Sequence, residues 1–128
     1  MDKGQNRQEH DGYKQLGDYF KLFSHPVRLK ILQILRKEPA CVCHINAILD
    51  LRQAYVSQQL AVLREGGVIE DQKDGWNVFY HVTNPHIYAL IDAAWNIIDP
   101  DGVLEKEDLS IPDDCDCPRC QDKENESH

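Results

Sequence analysis

Residues 53–70, QAYVSQQLAVLREGGVIE, carry the clearest structural pattern in the chain, and the fold is inferred from this segment outward. Its apolar residues Val56, Leu60 and Leu63 recur at the spacing of one helix face, and two glycines then end the helix. Polar side chains fill the other positions, and side chains of this kind hydrogen-bond base edges and phosphates of DNA. We predict a helix from 53 to 65 that contacts DNA through Gln53, Tyr55, Ser57, Gln58, Gln59 and Arg64.

Three more helices are predicted upstream of this stretch. A short helix over 42–49 has Ile45 and Ile48 facing inward, and residues 50–52 form the turn into the DNA-contacting helix. Residues 13–23 place apolar side chains on one helical face. The next helix is expected to begin at Ser24 as its N-cap, with Pro26 in its first turn, and to end by 37–39.

A hairpin and a last helix are predicted downstream. Residues 68–72 and 78–82 are β-like and flank the loop 73–77, whose Asp-Gly pair favours a hairpin. Asn84-Pro85 then open a helix with a broad apolar stripe. The sequence therefore predicts a mostly α fold with a β-hairpin wing, a winged helix-turn-helix. In it the wing touches the DNA backbone or minor groove, and Lys73 is its candidate phosphate contact.

The net charge of −8 is distributed unevenly along the chain. Residues 13–100 carry nine charges of each sign, whereas residues 101–128 carry ten acidic and three basic side chains. DNA affinity depends on local neutralisation of phosphates, so a neutral body can still bind DNA. We predict a polar N-terminal arm at 1–12, one DNA-binding and dimerisation domain at 13–100, and an acidic, partly disordered tail at 101–128.

All five cysteines fall in two places: Cys41 and Cys43 at the entrance to the helix-turn-helix, and Cys115, Cys117 and Cys120 in the tail. The sequence has no apolar run of membrane-spanning length and a polar N-terminus, so we expect a cytoplasmic protein with reduced thiols. Clustered reduced cysteines indicate metal binding or redox chemistry, and an odd number argues against a disulfide framework.

The first pair sits where a helix begins, which has two consequences. The first residue is not yet helical, so both thiols can turn to one side. A helix N-terminus also lowers the pKa of a cysteine thiol.

Three motifs resemble those of ArsR/SmtB-family repressors, in the same order along residues 13–100. LFSHPVRLKIL at 22–32 resembles the opening of the family domain, and CVCHI at 41–45 resembles its Cys-Val-Cys metal-binding box. SQQLAVLREGGVI at 57–69 resembles its recognition helix and following strand. The resemblance implies a homodimer packed through its first and last helices. It also implies a repressor that leaves operator DNA when a metal or metalloid binds.

The chain departs from the family pattern at several positions. His44 replaces the usual Asp of the box, and it could act as a ligand or hydrogen-bond a cysteine. Trp76 follows the wing glycine, where the family usually has Arg. The zinc site of one family branch would fall on Asn84, His86, Ile97 and Pro100, of which only His86 suits, so that site is expected to be absent. The N-terminal cysteines of another branch are missing, and the tail cysteines are the obvious substitutes.

A site built from thiolates selects soft ions. The resemblance and the supply of thiols favour As(III) as the inducer, with Cd(II), Pb(II) or Zn(II) as alternatives. The thiols could share one ion within a subunit or across the dimer, and the tail thiols could hold one by themselves. A redox or persulfide sensor on the same fold, or a structural zinc protein, is also open. We do not expect an enzyme, because Cys-x-x-Cys on a tail has no supporting base, pocket or oxyanion donors.

Overall fold

The computed structural model describes residues 11–109 and confirms the predicted order of helices, hairpin and last helix. The N-terminal arm up to residue 10 and the tail thiols Cys115, Cys117 and Cys120 lie outside the described residues. Within 11–109 no helix combines the length and the apolar character needed to cross a membrane. The elements are α1 Gly12–Phe23, α2 Pro26–Leu35, β1 Ala40–Cys41, α3 Val42–Leu49, α4 Gln53–Glu65, β2 Ile69–Asp74, β3 Asn77–Val82 and α5 His86–Ile98.

The core lies where α2, α3 and α4 meet the base of the hairpin. Ile31 and Leu32 of α2, Ile45 of α3, and Leu60 and Leu63 of α4 have no exposed surface. Each such side chain contributes about 2 kcal/mol through burial. The helix-turn-helix is therefore held by α2 as much as by its own two helices.

The N-cap of α2 is His25, so the predicted Ser24 cap is wrong. The backbone of His25 is extended, and its Nδ1 accepts a hydrogen bond from the Val27 N–H at 3.3 Å. Ser24 instead ends α1, and its hydroxyl donates to the Phe20 carbonyl at 3.1 Å. The physical reason is Pro26, which occupies the first helical position and so makes the residue before it the cap.

The hairpin is longer and its loop tighter than predicted. β2 and β3 pair in antiparallel register from Ile69↔Val82 to Asp74↔Asn77, so only Gly75 and Trp76 form the loop. Gly75 has a φ of 65°, which the first position of such a two-residue loop requires. The end of β2 is exposed and polar, so apolar patterning did not reveal it.

A third strand, β1, was not predicted. It pairs antiparallel with β3, with Ala40 opposite Tyr80 and Cys41 opposite Phe79, so the sheet order is β1-β3-β2. Two residues are too few to show a strand period, and the partner strand lies about forty positions away in the chain. The strand joins the entrance of the helix-turn-helix to the wing.

Helix α5 is covered only at its start. Ile87 and Tyr88 are buried, whereas Ile97 is 79% and Ile98 65% exposed. The Tyr88 hydroxyl donates to the Leu32 carbonyl, and burial raises the pKa of Tyr88 to about 12, against a small lowering by Arg36. The apolar stripe predicted for this helix thus remains exposed at its end, at Ile97 and Ile98.

Residues 100–109, named the strap below, fold back onto the body. The buried carboxylate of Asp99 accepts the N–H groups of Val103 at 2.9 Å and Leu104 at 3.2 Å, and the Lys106 ammonium at 3.4 Å. Burial raises the pKa of Asp99, but these hydrogen bonds outweigh it, and the net pKa lies below the usual range. Asp99 is therefore the anchor of the strap.

The rest of the strap lies along α5 and α2. The Lys106 ammonium lies 4.5 Å from the ring centre of Trp95, and Glu107 pairs with Lys30 at 3.2 Å. Leu109 packs against the core. The chain is thus attached as far as Leu109, which fixes where the acidic tail departs.

Candidate DNA interface and thiol site

Helix α4 presents much of its predicted polar face to solvent. Gln53, Ser57 and Gln58 are exposed, and Arg64 is exposed near the end of the helix, 3.6 Å from Asp71 on β2. The N-cap, Arg52, makes no side-chain capping hydrogen bond. The backbone N–H groups of the first turn therefore keep their capacity to bind an anion such as a phosphate.

Gln59 does not lie on the exposed face, so the expectation of an accessible side chain is wrong. It is only 6% exposed, and its Oε1 accepts a hydrogen bond from Arg28 Nε at 2.8 Å. Arg28 also donates from Nη1 to the carbonyl of Lys21, in the last turn of α1. Gln59 thus ties the recognition helix to α2 and, through Arg28, to α1.

Tyr55 makes a second link between α4 and α2. Its hydroxyl lies 3.2 Å from His25 Nε2. Because His25 Nδ1 accepts the capping hydrogen bond from Val27, the neutral ring carries its proton on Nε2 and donates it to Tyr55. The hydroxyl proton of Tyr55 is then available for an outside acceptor such as a phosphate oxygen.

The wing offers little positive charge. Lys73 is exposed on β2, but Asp74 follows it, and Glu70 and Asp71 lie on the same strand. At the tip, Trp76 is fully exposed. The predicted DNA contacts that the structure leaves at least partly accessible stay predictions: Gln53, Tyr55, Ser57, Gln58, Arg64 and Lys73.

The thiols of Cys41 and Cys43 lie side by side, 3.1 Å apart, and are not disulfide-bonded. Cys41 is the N-cap of α3, with extended backbone at φ −87° and ψ 167°. Cys43 follows within the first turn of the helix. Two residues apart in a regular helix, the side chains would diverge, so the extended N-cap is what brings the sulfur atoms together.

Cys41 belongs to the sheet as well as to the helix cap. It is buried, pairs with Phe79 of β3 in register, and contacts the Phe79 side chain together with Cys43. A displacement at this residue would therefore act on both the helix-turn-helix and the wing.

The two thiols alone would not complete a metal site. Among 11–109 no group of three or more His, Cys, Asp or Glu side chains is suited to hold a metal ion. Two thiolates sharing one zinc-sized ion, each at about 2.3 Å, must lie within about 4.6 Å of each other, which this pair satisfies. His44 is buried on the same turn of α3. The donor set suits a soft ion, and further ligands would have to come from residues outside 11–109 or from a second copy of the chain.

The strap and the residue before Cys41 border one groove. Leu109 and Ala40 line the same groove, of about 1090 Å³, which also runs along α1, α2 and α5. Ala40 directly precedes Cys41, and Cys115 is six positions after Leu109. Six residues of chain can span about 20 Å. The sequence did not predict that the strap folds back onto the body, or in which direction it runs. The strap is held by hydrogen bonds and ion pairs, and such contacts leave no periodic pattern in the sequence.

The comparisons with known proteins point to one group of regulators. A sequence profile described as "Bacterial regulatory protein, arsR family" matches residues 25–71. The HTH-type transcriptional regulator Rv0081 of Mycobacterium tuberculosis H37Rv is 33% identical over 101 residues, covering 76% of this chain and 89% of that protein. Its crystal structure matches with a TM-score of 0.62 at 32% identity, covering 66% of this chain and 86% of that one.

Two further relatives carry functional names. The arsenical resistance operon repressor of Escherichia coli K12 is 40% identical over 81 residues, covering 59% of this chain and 68% of that protein. The crystal structure of the transcriptional repressor BigR from Xylella fastidiosa matches with a TM-score of 0.62 at 28% identity, covering 73% of this chain and 95% of that one.

An exposed polar recognition helix, its supporting helices and a hairpin wing define a winged helix-turn-helix DNA-binding regulator. The chain belongs to the ArsR family of bacterial regulatory proteins. It is a transcriptional repressor, the role that the names of the Escherichia coli and Xylella fastidiosa relatives give, and not an enzyme.

Proposed function

We propose that this repressor releases its operator DNA when a thiophilic metal or metalloid binds Cys41 and Cys43. The observation that carries the proposal is the 3.1 Å separation of the two sulfur atoms at the N-cap of α3. The pair is built by an extended cap residue at the entrance to the DNA-reading element. A small ion bound there would act directly on the part of the molecule that holds DNA.

The remaining ligand is proposed to come from the tail thiols Cys115, Cys117 and Cys120. As(III) takes three thiolates, so the pair and one tail cysteine would complete its set. The similarity to an arsenical resistance repressor supports arsenite as the first candidate, and an SmtB homologue among the relatives supports metal response more generally. Cd(II), Pb(II) and Zn(II) are the alternatives, since they also accept sulfur ligands.

The course of the strap supports a site completed within one protomer. Asp99 and Leu109 hold the chain down until it reaches the groove lined by Ala40. Only the short stretch between Leu109 and Cys115 then separates the anchored chain from the first tail thiol. A short tether gives a high effective concentration of tail thiols near Cys41 of the same protomer.

Ligation at Cys41 would be transmitted along two routes. Through the N-cap it changes the start of α3 and, across the turn, the placement of α4. Through the pairing with Phe79 it changes β3 and hence the wing. Release requires only that the ligand bind the DNA-free arrangement better than the DNA-bound one by a few kcal/mol.

The tail would add an electrostatic effect. Residues 110–128, beyond the strap, carry six acidic and two basic side chains. A tail thiolate bound beside Cys41 would hold these carboxylates close to the DNA-reading surface. Repulsion from the phosphates would then weaken binding, and more strongly at low salt.

We also propose that the repressor acts in the cytoplasm as a homodimer on double-stranded operator DNA. Phe20 of α1 and Trp95 and Ile98 of α5 expose apolar surface along the groove between these helices. An uncovered apolar face of this kind favours a second copy. A two-fold dimer would present two α4 helices to successive major grooves, about 34 Å apart.

The ligand set is tested with full-length, reduced, metal-free protein titrated with arsenite, following the near-ultraviolet absorption of thiolate–arsenic bonds. We expect one arsenite per protomer. Cys41→Ser should weaken binding more than about 100-fold, since it removes a direct ligand, and so should serine at all three tail cysteines. Undiminished binding by Cys41→Ser would mean that the tail thiols hold arsenite alone, and the proposal would be wrong.

Mixed dimers distinguish a site within a protomer from one that crosses the dimer. One protomer carries serine at Cys41 and Cys43, and the other carries serine at the three tail cysteines. Sites within protomers leave the mixed dimer without a complete ligand set, so it should not bind arsenite tightly. One tight site per mixed dimer would show that ligands come from both subunits.

A thiol redox sensor is the second candidate, because the same 3.1 Å contact favours disulfide formation between Cys41 and Cys43. Hydrogen peroxide would take two electrons and two protons from the pair, leaving a disulfide and water. This candidate predicts loss of DNA binding on stoichiometric oxidation without metal, restored by dithiothreitol. Unchanged DNA binding after oxidation would exclude it.

A further inference from the structure

We propose that Trp76 is an apolar DNA contact that lies in the minor groove, and that the wing binds through this indole more than through charge. The proposal rests on DNA binding by the repressor and is independent of thiol sensing. It starts from the exposure of Trp76, whose side chain is fully exposed to solvent.

The hairpin presents this side chain at the end of a rigid arm. Six residues of β2 pair with six of β3, and the loop contains only Gly75 and Trp76. Gly75 takes the left-handed conformation, and Trp76 does not, as in a type II′ turn. The indole is therefore carried at the tip of a short, fully paired ribbon, the part of the wing farthest from the core.

The charges of the wing do not suit a strong phosphate contact. Glu70, Asp71 and Asp74 all lie on β2, and Lys73 is the basic residue among them. Arg64, at the base, is 3.6 Å from the carboxylate of Asp71. With carboxylates around it, Lys73 gains less from approaching a phosphate than an isolated cation would.

The minor groove suits the chemistry of the indole. With α4 in the major groove, the wing reaches the flanking backbone and minor groove, about 6 Å wide. Its walls are sugar edges, which an apolar ring can cover, and adenine N3 and thymine O2 on its floor can accept the indole N–H. Apolar side chains that enter the minor groove are a known means of binding deformable DNA.

A protein partner fits this surface less well. Stable protein interfaces bury a contiguous surface of several hundred Å² on each side. The strand residues that lead to Trp76, from Glu70 to Asp74, are polar and exposed. One aromatic ring among charged neighbours is too small an apolar patch for such an interface.

The first test measures the accessibility of Trp76 in the complex. The probe is a duplex of about 30 base pairs, long enough for two half-sites, selected from a random pool by the reduced, metal-free, full-length protein. The chain has two tryptophans, so Trp76→Phe reports Trp95 alone, and its difference from wild type reports Trp76. We expect DNA to shift the Trp76 emission to shorter wavelength and to protect it from acrylamide, with Trp95 unchanged.

The second test separates an apolar contact from an ionic one. Trp76→Ala should weaken binding of the dimer about a hundredfold, since one aromatic–DNA contact is lost at each of the two wings and each loss costs about tenfold. The slope of log affinity against log salt should stay the same, since no phosphate contact is lost. Trp76→Arg is the matched variant, and it should make the slope steeper by about two units, since the dimer carries two wings and each new arginine adds about one.

The groove is tested by replacing adenine with 2,6-diaminopurine, which adds an amino group in the minor groove and leaves the major-groove edge unchanged. Wild type should lose affinity for the modified duplex, and Trp76→Ala should lose less, which shows coupling between the indole and the groove. Equal losses, or an indole still open to acrylamide in the complex, would overturn the proposal while DNA binding itself stands. If no duplex is selected at all, the repressor assignment fails instead.

Discussion

Gln58 and Gln59 are neighbours in the recognition helix and have different surroundings. Gln58 is exposed, whereas Gln59 is buried and accepts a hydrogen bond from Arg28 at 2.8 Å. Arg28 is also bonded to the last turn of α1. We therefore assign Gln59 to holding α4 in place and Gln58 to the surface that faces DNA.

Alanine at each of these two positions gives a matched pair of variants. Gln59→Ala leaves a charged donor without its partner, so the free energy of unfolding should fall by about 2 kcal/mol. Gln58→Ala, on the surface, should change it by less than about 0.5 kcal/mol and instead alter the base preference. Urea unfolding and selection of duplexes from a random pool measure the two effects. Equal destabilisation by both substitutions would contradict the assignment.

The position of Gln59 could have been predicted from spacing alone. It follows Val56 by three residues and precedes Leu63 by four, which places it on the buried face of α4. Its polarity suggested the opposite face, and the partner that makes burial possible, Arg28, is 31 positions away. Apolar periodicity predicts the position of Gln59 better than its polarity does, because Arg28, which is distant in the sequence, hydrogen-bonds the buried amide.

At the level of elements, the strap and β1 connect parts of the molecule that lie far apart in the sequence. The five helices followed from apolar periodicity, which is a local property. The short strand β1 depends on β3, and the strap depends on Asp99 and on Lys30. Such long-range pairings leave no local pattern, so the sequence predicted the helices and missed these two connections.

The strap should detach from the body of the protein when the Asp99 carboxylate is protonated. Because its folded pKa is lowered, the stabilisation from Asp99 is present above the unfolded value of about 3.9 and is lost as pH falls through the folded pKa. The Trp95 emission, read in Trp76→Phe, reports the nearby Lys106 and should stay constant from about pH 8 to pH 5 and change only at more acidic pH.

Asp99→Asn is the direct variant for this prediction. At neutral pH it should already show the Trp95 emission that the parent protein shows only at acidic pH, when the strap is detached. It should also bind arsenite more weakly, because a longer tether lowers the effective concentration of the tail thiols. Asp101→Asn, at an exposed position, is the control and should behave as wild type. A transition centred between about pH 5 and pH 7 in the parent protein would rule out Asp99 as the anchor.

At the scale of the whole molecule, the architecture was predictable from the sequence and the course of the strap was not. The order of helices, helix-turn-helix and wing is confirmed, since each element carries its own pattern. The uncovered stretch of α5 agrees with a dimer through α1 and α5, which stays a prediction. The direction of residues 99–109 depends on tertiary hydrogen bonds and on the ion pair with Lys30.

The dimer is tested by a charge at its proposed centre. Ile98→Glu places a carboxylate on the apolar groove and should give a monomer in analytical ultracentrifugation. Loss of the second half-site contact should lower operator affinity by about a hundredfold or more. Val103→Glu is the control, because Val103 is equally apolar and 79% exposed but does not line the groove. A dimer that survives Ile98→Glu would place the interface elsewhere.

The effect of arsenite binding on DNA binding is measured directly by fluorescence anisotropy of the labelled, selected duplex. Reduced, metal-free, full-length protein is first bound to the duplex and then titrated with arsenite without oxygen. We expect release at about one arsenite per protomer, whereas Cys41→Ser should bind the duplex equally well and stay bound. Anisotropy that remains high after arsenite has filled the thiol site would contradict this expectation.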